Sequence, residues 1–73
     1  MKNDMQIKHD VLAELDREHN VAAGTVGVEV HHGVVKLAGR VNDPSIKASA
    51  ELAARRVTDV SNVVMDIDVA SSR

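Results

Sequence analysis

Cysteine, phenylalanine, tyrosine and tryptophan are all absent from the 73 residues of this sequence. Without cysteine, the chain has no disulfide framework, zinc finger, thiol nucleophile or iron–sulfur site. Without aromatic rings, it lacks the stacking platforms on which many proteins bind single-stranded nucleic acids. The net charge of −2 also argues against general binding of polyanions. We therefore expect no nucleic-acid ligand.

Long apolar runs are absent as well, and the longest are far shorter than the roughly 20 residues that a membrane-spanning helix needs. The opening segment, residues 1–6, leads into no apolar stretch of the kind that secretory signal peptides contain. We expect a cytoplasmic location for the sequence as it stands. A periplasmic location is expected if it is a fragment of an exported protein.

The length suits one small domain over residues 1–73. A domain of this size buries only roughly 60% of the surface of its unfolded chain, so its core has to be packed closely. That core has to consist of valine, isoleucine, leucine, alanine and methionine, and the many valines favour strands. A single aliphatic α+β domain is expected.

A first helix is predicted over about residues 4–17. Asn3 or Asp4 is its candidate N-cap, and Asp4 also places a negative charge at the positive end of the helix dipole. Apolar residues recur at i, i+4, i+5 and i+8, which predicts a face that packs on the core. These residues are Ile7, Val11, Leu12 and Leu15.

A second helix is predicted over about residues 44–57. Asp43 is its candidate N-cap, and Pro44 stands at the first helical position, where a missing N–H costs nothing. Alanines on its inner face allow the helix to approach a sheet closely. The inner face comprises Ile46, Ala50, Ala53 and Val57, and the exposed side carries an ion-pair ladder of Lys47, Glu51 and Arg55.

A β-hairpin is predicted over about residues 25–41, because apolar and polar residues alternate on both sides of His32-Gly33. A two-residue turn at these positions needs positive φ angles, which glycine adopts readily and histidine tolerates. This turn fixes a register with the apolar pairs on one face and an ion pair on the other. The pairs are Val28 with Leu37, Val30 with Val35, and Glu29 with Lys36.

A last strand over about residues 62–69 completes the order α-β-β-α-β. Because a helix connects the second and third strands, they should run parallel. The sequence predicts a three-stranded mixed sheet with two helices packed on one face and the other face open. The open face should carry Glu29, His31, Lys36, Arg40, Asp66 and Asp68, with a small apolar patch of Val34, Ala38 and Val64.

The order and spacing of these residues resemble the BON domain, a family named for bacterial osmotically induced and nodulation proteins. Its loose signature is V-x-V-x-x-G-x-V-x-L-x-G-x-V, then A-x-x-x-A, then V-x-G-V-x-x-V-x-x-x-I-x-V. Residues 28–69 match it, and the apolar positions of the first helix match the preceding family helix. Gly33 and Gly39 match the motif glycines, whose role looks structural. Asp59 stands where the family often has glycine, and aspartate can also adopt a left-handed conformation.

The resemblance implies a non-catalytic binding module without a cofactor, associated with phospholipid membranes, envelope integrity and osmotic stress in bacteria. No catalytic residues are carried over, and no G-x-S-x-G turn is present. An alternative is a protein–protein or repeat-packing module that docks on another BON domain or a protein partner without lipid. The opening residues are similar to those of proteins with tandem BON repeats, so the chain is either one repeat or a single-domain relative. A monomer is expected over an oligomer.

Four basic residues are candidates for contact with an anionic phospholipid surface or a partner: Lys36, Arg40, Arg55 and Arg56. Acidic residues are expected beside both pairs, Asp66 and Asp68 near the first and Asp59 near the second. The competing interpretation is a solvated face of balanced charge. In that case none of the four binds anything.

Two further motifs are given structural interpretations. His31 and His32 are adjacent at a strand end, so their side chains should diverge and no metal site is expected. Gly24-Thr25-Val26-Gly27 has the spacing of the G-x-x-G loop of KH domains, but it leads into a strand and has no adjacent basic residue. We interpret its glycines as turn and bulge positions.

Overall fold

The structure, a computed structural model, describes residues 2–21 and 24–70. It confirms the α+β class and the predicted order α-β-β-α-β. Both helices pack against the same face of one sheet, and the opposite face is open. The elements are α1 (Asp4–Asp16), β1 (Val26–His31), β2 (Val34–Val41), α2 (Pro44–Arg55) and β3 (Asn62–Val69).

The sheet has the order β1-β2-β3, so β2 is its central strand. β2 runs antiparallel to β1 and parallel to β3, as the hairpin and the helical crossover predict. The predicted hairpin register is confirmed, including Glu29 opposite Lys36. The predicted ion pair between these two residues is replaced, because the Lys36 Nζ atom lies 3.9 Å from Asp66 Oδ2 on the neighbouring β3.

The hairpin turn has positive φ angles at both central residues, 52° at His32 and 80° at Gly33. This is the backbone of a type I′ turn, whose twist matches that of the flanking strands. The left-handed backbone at His32 also breaks the alternation of side chains. The prediction that the two histidine side chains diverge is therefore wrong: the rings of His31 and His32 lie edge to face, with centroids 4.4 Å apart.

The core is aliphatic and lies between the two helices and the sheet. Val35 and Leu37 of the central strand are fully buried, and three buried alanines of α2 let that helix approach the sheet closely. Within residues 2–21 and 24–70, no polar or charged residue is buried. The buried residues are Ile7, Val11, Leu15, Val26, Val28, Val35, Leu37, Val41, Ala50, Ala53, Ala54, Val57, Val63 and Ile67.

Leu12 is the predicted core residue that the fold leaves outside. It is 44% exposed, whereas Val11 beside it is fully buried. The buried stripe of α1 recurs every four residues, at Ile7, Val11 and Leu15, and a neighbouring position lies about 100° further round a helix of 3.6 residues per turn. The stripe facing the core is therefore narrower than the sequence pattern suggests.

The hydrogen bonds at the start of α1 show which of the two candidates, Asn3 or Asp4, is its N-cap. Asn3 is the N-cap, and it forms a capping box with Gln6 through reciprocal hydrogen bonds of 2.8 and 3.0 Å. Asp4 lies in the first turn, and its carboxylate is directed to the hairpin turn instead. Asp43 caps α2 by accepting a hydrogen bond from the Ser45 N–H at 2.8 Å, which lowers the pKa of the Asp43 carboxyl group.

Candidate binding surface

The open face of the sheet consists of the outward-pointing side chains of all three strands. Their register places Lys36 beside Val64, Ala38 beside Asp66, and Arg40 beside Asp68. All the charged residues predicted for this face are exposed. The open face comprises Glu29, His31, Val34, Lys36, Ala38, Arg40, Val64, Asp66 and Asp68.

Charge on the open face is nearly balanced, with two cations against three carboxylates. The Lys36–Asp66 pair is long, at 3.9 Å, and both side chains are largely exposed, so water screens the attraction between them. Arg40 differs from Lys36, because no ion pair in the described part of the chain includes its guanidinium group. Arg40 is thus the cation of this face that is available to a ligand.

An apolar centre separates the charges of the open face. Val34 and Ala38 of β2 are half-buried, and Val64 of β3 is 43% exposed. Lys36 lies between Val34 and Ala38 on the same side of β2, so the apolar surface is small and divided. Such an area suits a contact within a larger polar surface rather than an obligate hydrophobic interface.

Arg55 and Arg56 do not form a common patch. Arg55 binds Glu51 one turn earlier on α2, at 3.0 Å. Arg56 reaches across to the other helix and donates to Glu14 at 3.0 Å and to Glu18 at 2.6 Å. The carboxylates of Glu18 and Glu14, which accept these hydrogen bonds, raise the pKa of the Arg56 guanidinium group above its usual range. Arg56 therefore connects the two helices.

Asp59 was expected beside Arg55 and Arg56, but its carboxylate accepts a hydrogen bond from the backbone N–H of Lys2 at 2.8 Å. The acidic partners of Arg56 come instead from Glu14 of α1 and from Glu18 just after it. The sequence gives one clue to this contact: Glu14 and Glu18 are four residues apart, a spacing that brings two side chains to the same side near a helix end. Nothing in the spacing of the chain indicates which residue they face.

A cleft at one end of the sheet was not predicted. It has a volume of about 380 Å³ and lies where β1 begins, β2 ends and α2 begins. Arg40 lines it, so we name it the Arg40 cleft. Its other lining residues are Asn20, Thr25, Val41, Asn42, Ile46 and Ala70. They come from four parts of the chain and form no sequence motif, which is why they were missed.

Metal-ligating side chains do not converge in the part of the molecule that the structure describes. No three histidine, aspartate or glutamate residues there lie close enough to hold one ion. Neither helix described is long and apolar enough to cross a membrane.

A family model for the BON domain matches residues 3–71. The chain belongs to the BON domain family. BON domains are non-catalytic, and membership implies a binding module. No match was found among curated proteins. In this BON domain, Asp59 adopts a φ of 73°, so aspartate holds the left-handed position where the family often has glycine.

Proposed function

We propose that this BON domain is a non-enzymatic module that associates with anionic phospholipid surfaces in a bacterial envelope or osmotic-stress role. The observation that carries the proposal is Arg40, an exposed guanidinium group on the open face with no ion pair in residues 2–21 and 24–70. Guanidinium groups bind phosphate oxygens through paired hydrogen bonds, which is the contact that a lipid headgroup offers. Family membership supports the same proposal.

The charges on the open face determine how strongly we expect the domain to bind an anionic membrane. Each basic residue near an anionic membrane contributes about 1 kcal/mol, and the contribution falls off within a Debye length. Asp66 and Asp68 lie beside Lys36 and Arg40 and oppose that attraction. Binding should therefore be weak, reversible and strongest at low salt, with Arg40 at the point of contact.

The first experiment is co-sedimentation with phosphatidylcholine vesicles, with and without phosphatidylglycerol. The wild-type chain should pellet only with the anionic vesicles at low salt. The double variant Lys36→Gln/Arg40→Gln should stay in the supernatant. Lys8→Gln/Arg17→Gln, which removes the same charge from α1 and the residue that follows it, should still bind. An absence of co-sedimentation at low salt, or equal loss in both double variants, contradicts the proposal.

A second candidate function is docking on a protein partner or another BON domain without lipid. The apolar centre of Val34, Ala38 and Val64, surrounded by charges of both signs, favours it because transient protein interfaces share this arrangement. Val64→Asp would weaken such docking while leaving both cations in place. Analytical ultracentrifugation over a concentration series measures self-association directly. Self-association that Val64→Asp abolishes, together with no vesicle binding, would favour this candidate.

A further inference from the structure

The Arg40 cleft combines a basic group with neutral hydrogen-bond donors. Arg40, which lines it, carries a guanidinium group with five N–H donors, and the lining residues Asn20, Asn42 and Thr25 carry carboxamides and a hydroxyl. Among the residues that the structure describes, none that line the cleft is acidic. The cleft therefore presents mainly donors at its rim, as a site for an anion requires.

The rim is held in place by contacts outside the cleft. Asn20 donates from Nδ2 to the Ser49 hydroxyl of α2 at 3.1 Å, which fixes the loop after α1 beside that helix. One hydrogen of the same amide group remains for a ligand. Thr25 directly precedes β1, and its backbone carbonyl lies so close to Gly39 that a Cβ atom at Gly39 would overlap it. These contacts position the Asn20 side chain and the Thr25 backbone before any ligand binds.

The floor of the cleft is apolar. Val41 is buried there, while Ile46 and Ala70 are half-buried. A polar rim over an aliphatic floor is typical of sites that bind a small molecule with a polar group and a hydrocarbon part. Inorganic phosphate would accept hydrogen bonds from the donors at the rim but would leave the apolar floor in contact with water. A phosphate ester of a short aliphatic alcohol would contact both.

Two carboxylates stand near the cleft and limit its affinity. Asp68 lies beside Arg40 in the β2–β3 register, and Asp43 follows Asn42 in the chain. Asp43 is occupied as the N-cap of α2, where it accepts from the Ser45 N–H. Asp68 is exposed, and its negative charge reduces the electrostatic attraction between Arg40 and an anionic ligand.

We infer that the Arg40 cleft binds a phosphate ester of the glycerol phosphate type, with the phosphate at the Arg40 guanidinium group and the carbon chain on the Val41–Ile46 floor. The inference rests on the proposed function in one respect, because an anionic phospholipid headgroup presents this chemistry. A soluble glycerol phosphate presents it equally, and the experiment below separates the two sources.

The test is an NMR titration of the full ¹⁵N-labelled chain. The probes are sn-glycerol 3-phosphate, inorganic phosphate, glycerol, and dihexanoyl phosphatidylglycerol below its micelle concentration. Saturable shifts are expected at the amides of Thr25, Asn42 and Ala70 with the two phosphate esters, weaker ones with inorganic phosphate and none with glycerol. Arg40→Gln should weaken binding roughly tenfold, the loss expected for a charge-assisted hydrogen bond.

Three further variants make the result specific. Lys8→Gln removes an exposed cation of α1 that does not line the cleft and should bind as the wild type does. Asp68→Asn should tighten binding, because it removes the competing carboxylate. Asn42→Asp places a negative charge on the rim and should weaken binding, so it serves as the second test if Arg40→Gln fails to fold. Loss of binding in Lys8→Gln equal to that in Arg40→Gln would overturn the inference.

The probes also keep this inference separate from the proposed function. Cleft shifts with both esters support the site, and shifts with the lipid ester alone support it as a headgroup site. Shifts with sn-glycerol 3-phosphate and no vesicle co-sedimentation support the site and contradict the membrane function. No shifts at the cleft with either ester overturn the site, even where vesicles are bound through the rest of the open face.

Discussion

The Asp4 carboxylate accepts a hydrogen bond from the backbone N–H of Gly33 at 3.1 Å, which ties the first turn of α1 to the tip of the hairpin. Its other oxygen accepts from the His32 N–H at 2.9 Å. The Gly33 carbonyl in turn accepts from the Ser61 N–H at 2.9 Å. One two-residue turn thus joins α1 and the segment that leads into β3.

Asp4→Asn should destabilise the fold at neutral pH. The His32 and Gly33 amides lower the pKa of the Asp4 carboxyl group from its ordinary value of 3.8, so the folded state favours the ionised form. A depressed pKa contributes stability above the unfolded value and loses it as pH falls through the folded value. The difference between wild type and variant should therefore shrink as pH is lowered below about 4.

Urea unfolding followed by far-UV circular dichroism at neutral and acidic pH measures this difference. Asp16→Asn is the matched control, because it makes the same chemical change at the other end of α1, where a carboxylate opposes the helix dipole. The control should lose no stability. Equal urea midpoints for Asp4→Asn and wild type at neutral pH would show that the link from α1 to the hairpin turn contributes nothing.

Gly39→Ala should destabilise the domain by about 1–3 kcal/mol. A Cβ atom at this position would overlap the carbonyl oxygen of Thr25, which is backbone and cannot rotate away. Gly27→Ala is the control: a Cβ atom there would meet the nearest atom at an ordinary 3.6 Å. The control should change the free energy of unfolding by less than about 0.5 kcal/mol. Similar losses in both variants would contradict the steric explanation.

Substitutions at Asp59 should rank by their tolerance of a left-handed backbone. Asp59→Gly is expected to be more stable than Asp59→Ala, since glycine adopts the φ of 73° without strain, although it too removes the acceptor for the Lys2 N–H. Asp59→Ala should be less stable by about 1 kcal/mol, because its Cβ is strained there and it offers no acceptor to Lys2. Asp59→Asn keeps both the tolerance of a left-handed backbone and an acceptor for the Lys2 N–H, so its stability should match that of the wild type. Thermal unfolding of the three variants gives the ranking, which an alanine variant as stable as glycine would overturn.

Arg56→Gln should lower stability more than Arg55→Gln. Arg56 binds Glu14 and Glu18 and so joins the two helices, whereas Arg55 binds Glu51 within a single helix. An exposed pair of the second kind contributes about 0.3–0.5 kcal/mol. The difference between the two variants should decrease in high salt, which screens exposed charges. Urea midpoints at low and high salt provide the measurement, and a larger loss for Arg55→Gln would contradict it.

The hairpin could be predicted in detail because its determinants are local. Alternation with a period of two assigns each residue to a face, and the His32-Gly33 turn then leaves one register in which Val28 meets Leu37. The direction of β3 could also be predicted, because two strands of one sheet that are connected by a crossover helix run parallel. The tolerance of Asp59 for a left-handed backbone is likewise a property of one residue.

The candidate site could be predicted only in part. Arg40 and Lys36 were assigned to the open face from alternation, and the structure places both there. The contact of Arg56 with Glu18 spans 38 residues of chain and depends on how the helices cross, which no spacing encodes. The Arg40 cleft depends in the same way on four segments that meet only after folding.

The turn at His32 and Gly33 has a further consequence for exchange with solvent. Amides at hairpin tips usually exchange quickly with deuterium, because nothing in the protein competes with water for them. Here both amides donate to the Asp4 carboxylate. Their exchange should be slower than that of unpartnered turn amides. An insertion at the hairpin tip, which is a usual site for a tag or reporter sequence, should destabilise this domain by breaking both contacts.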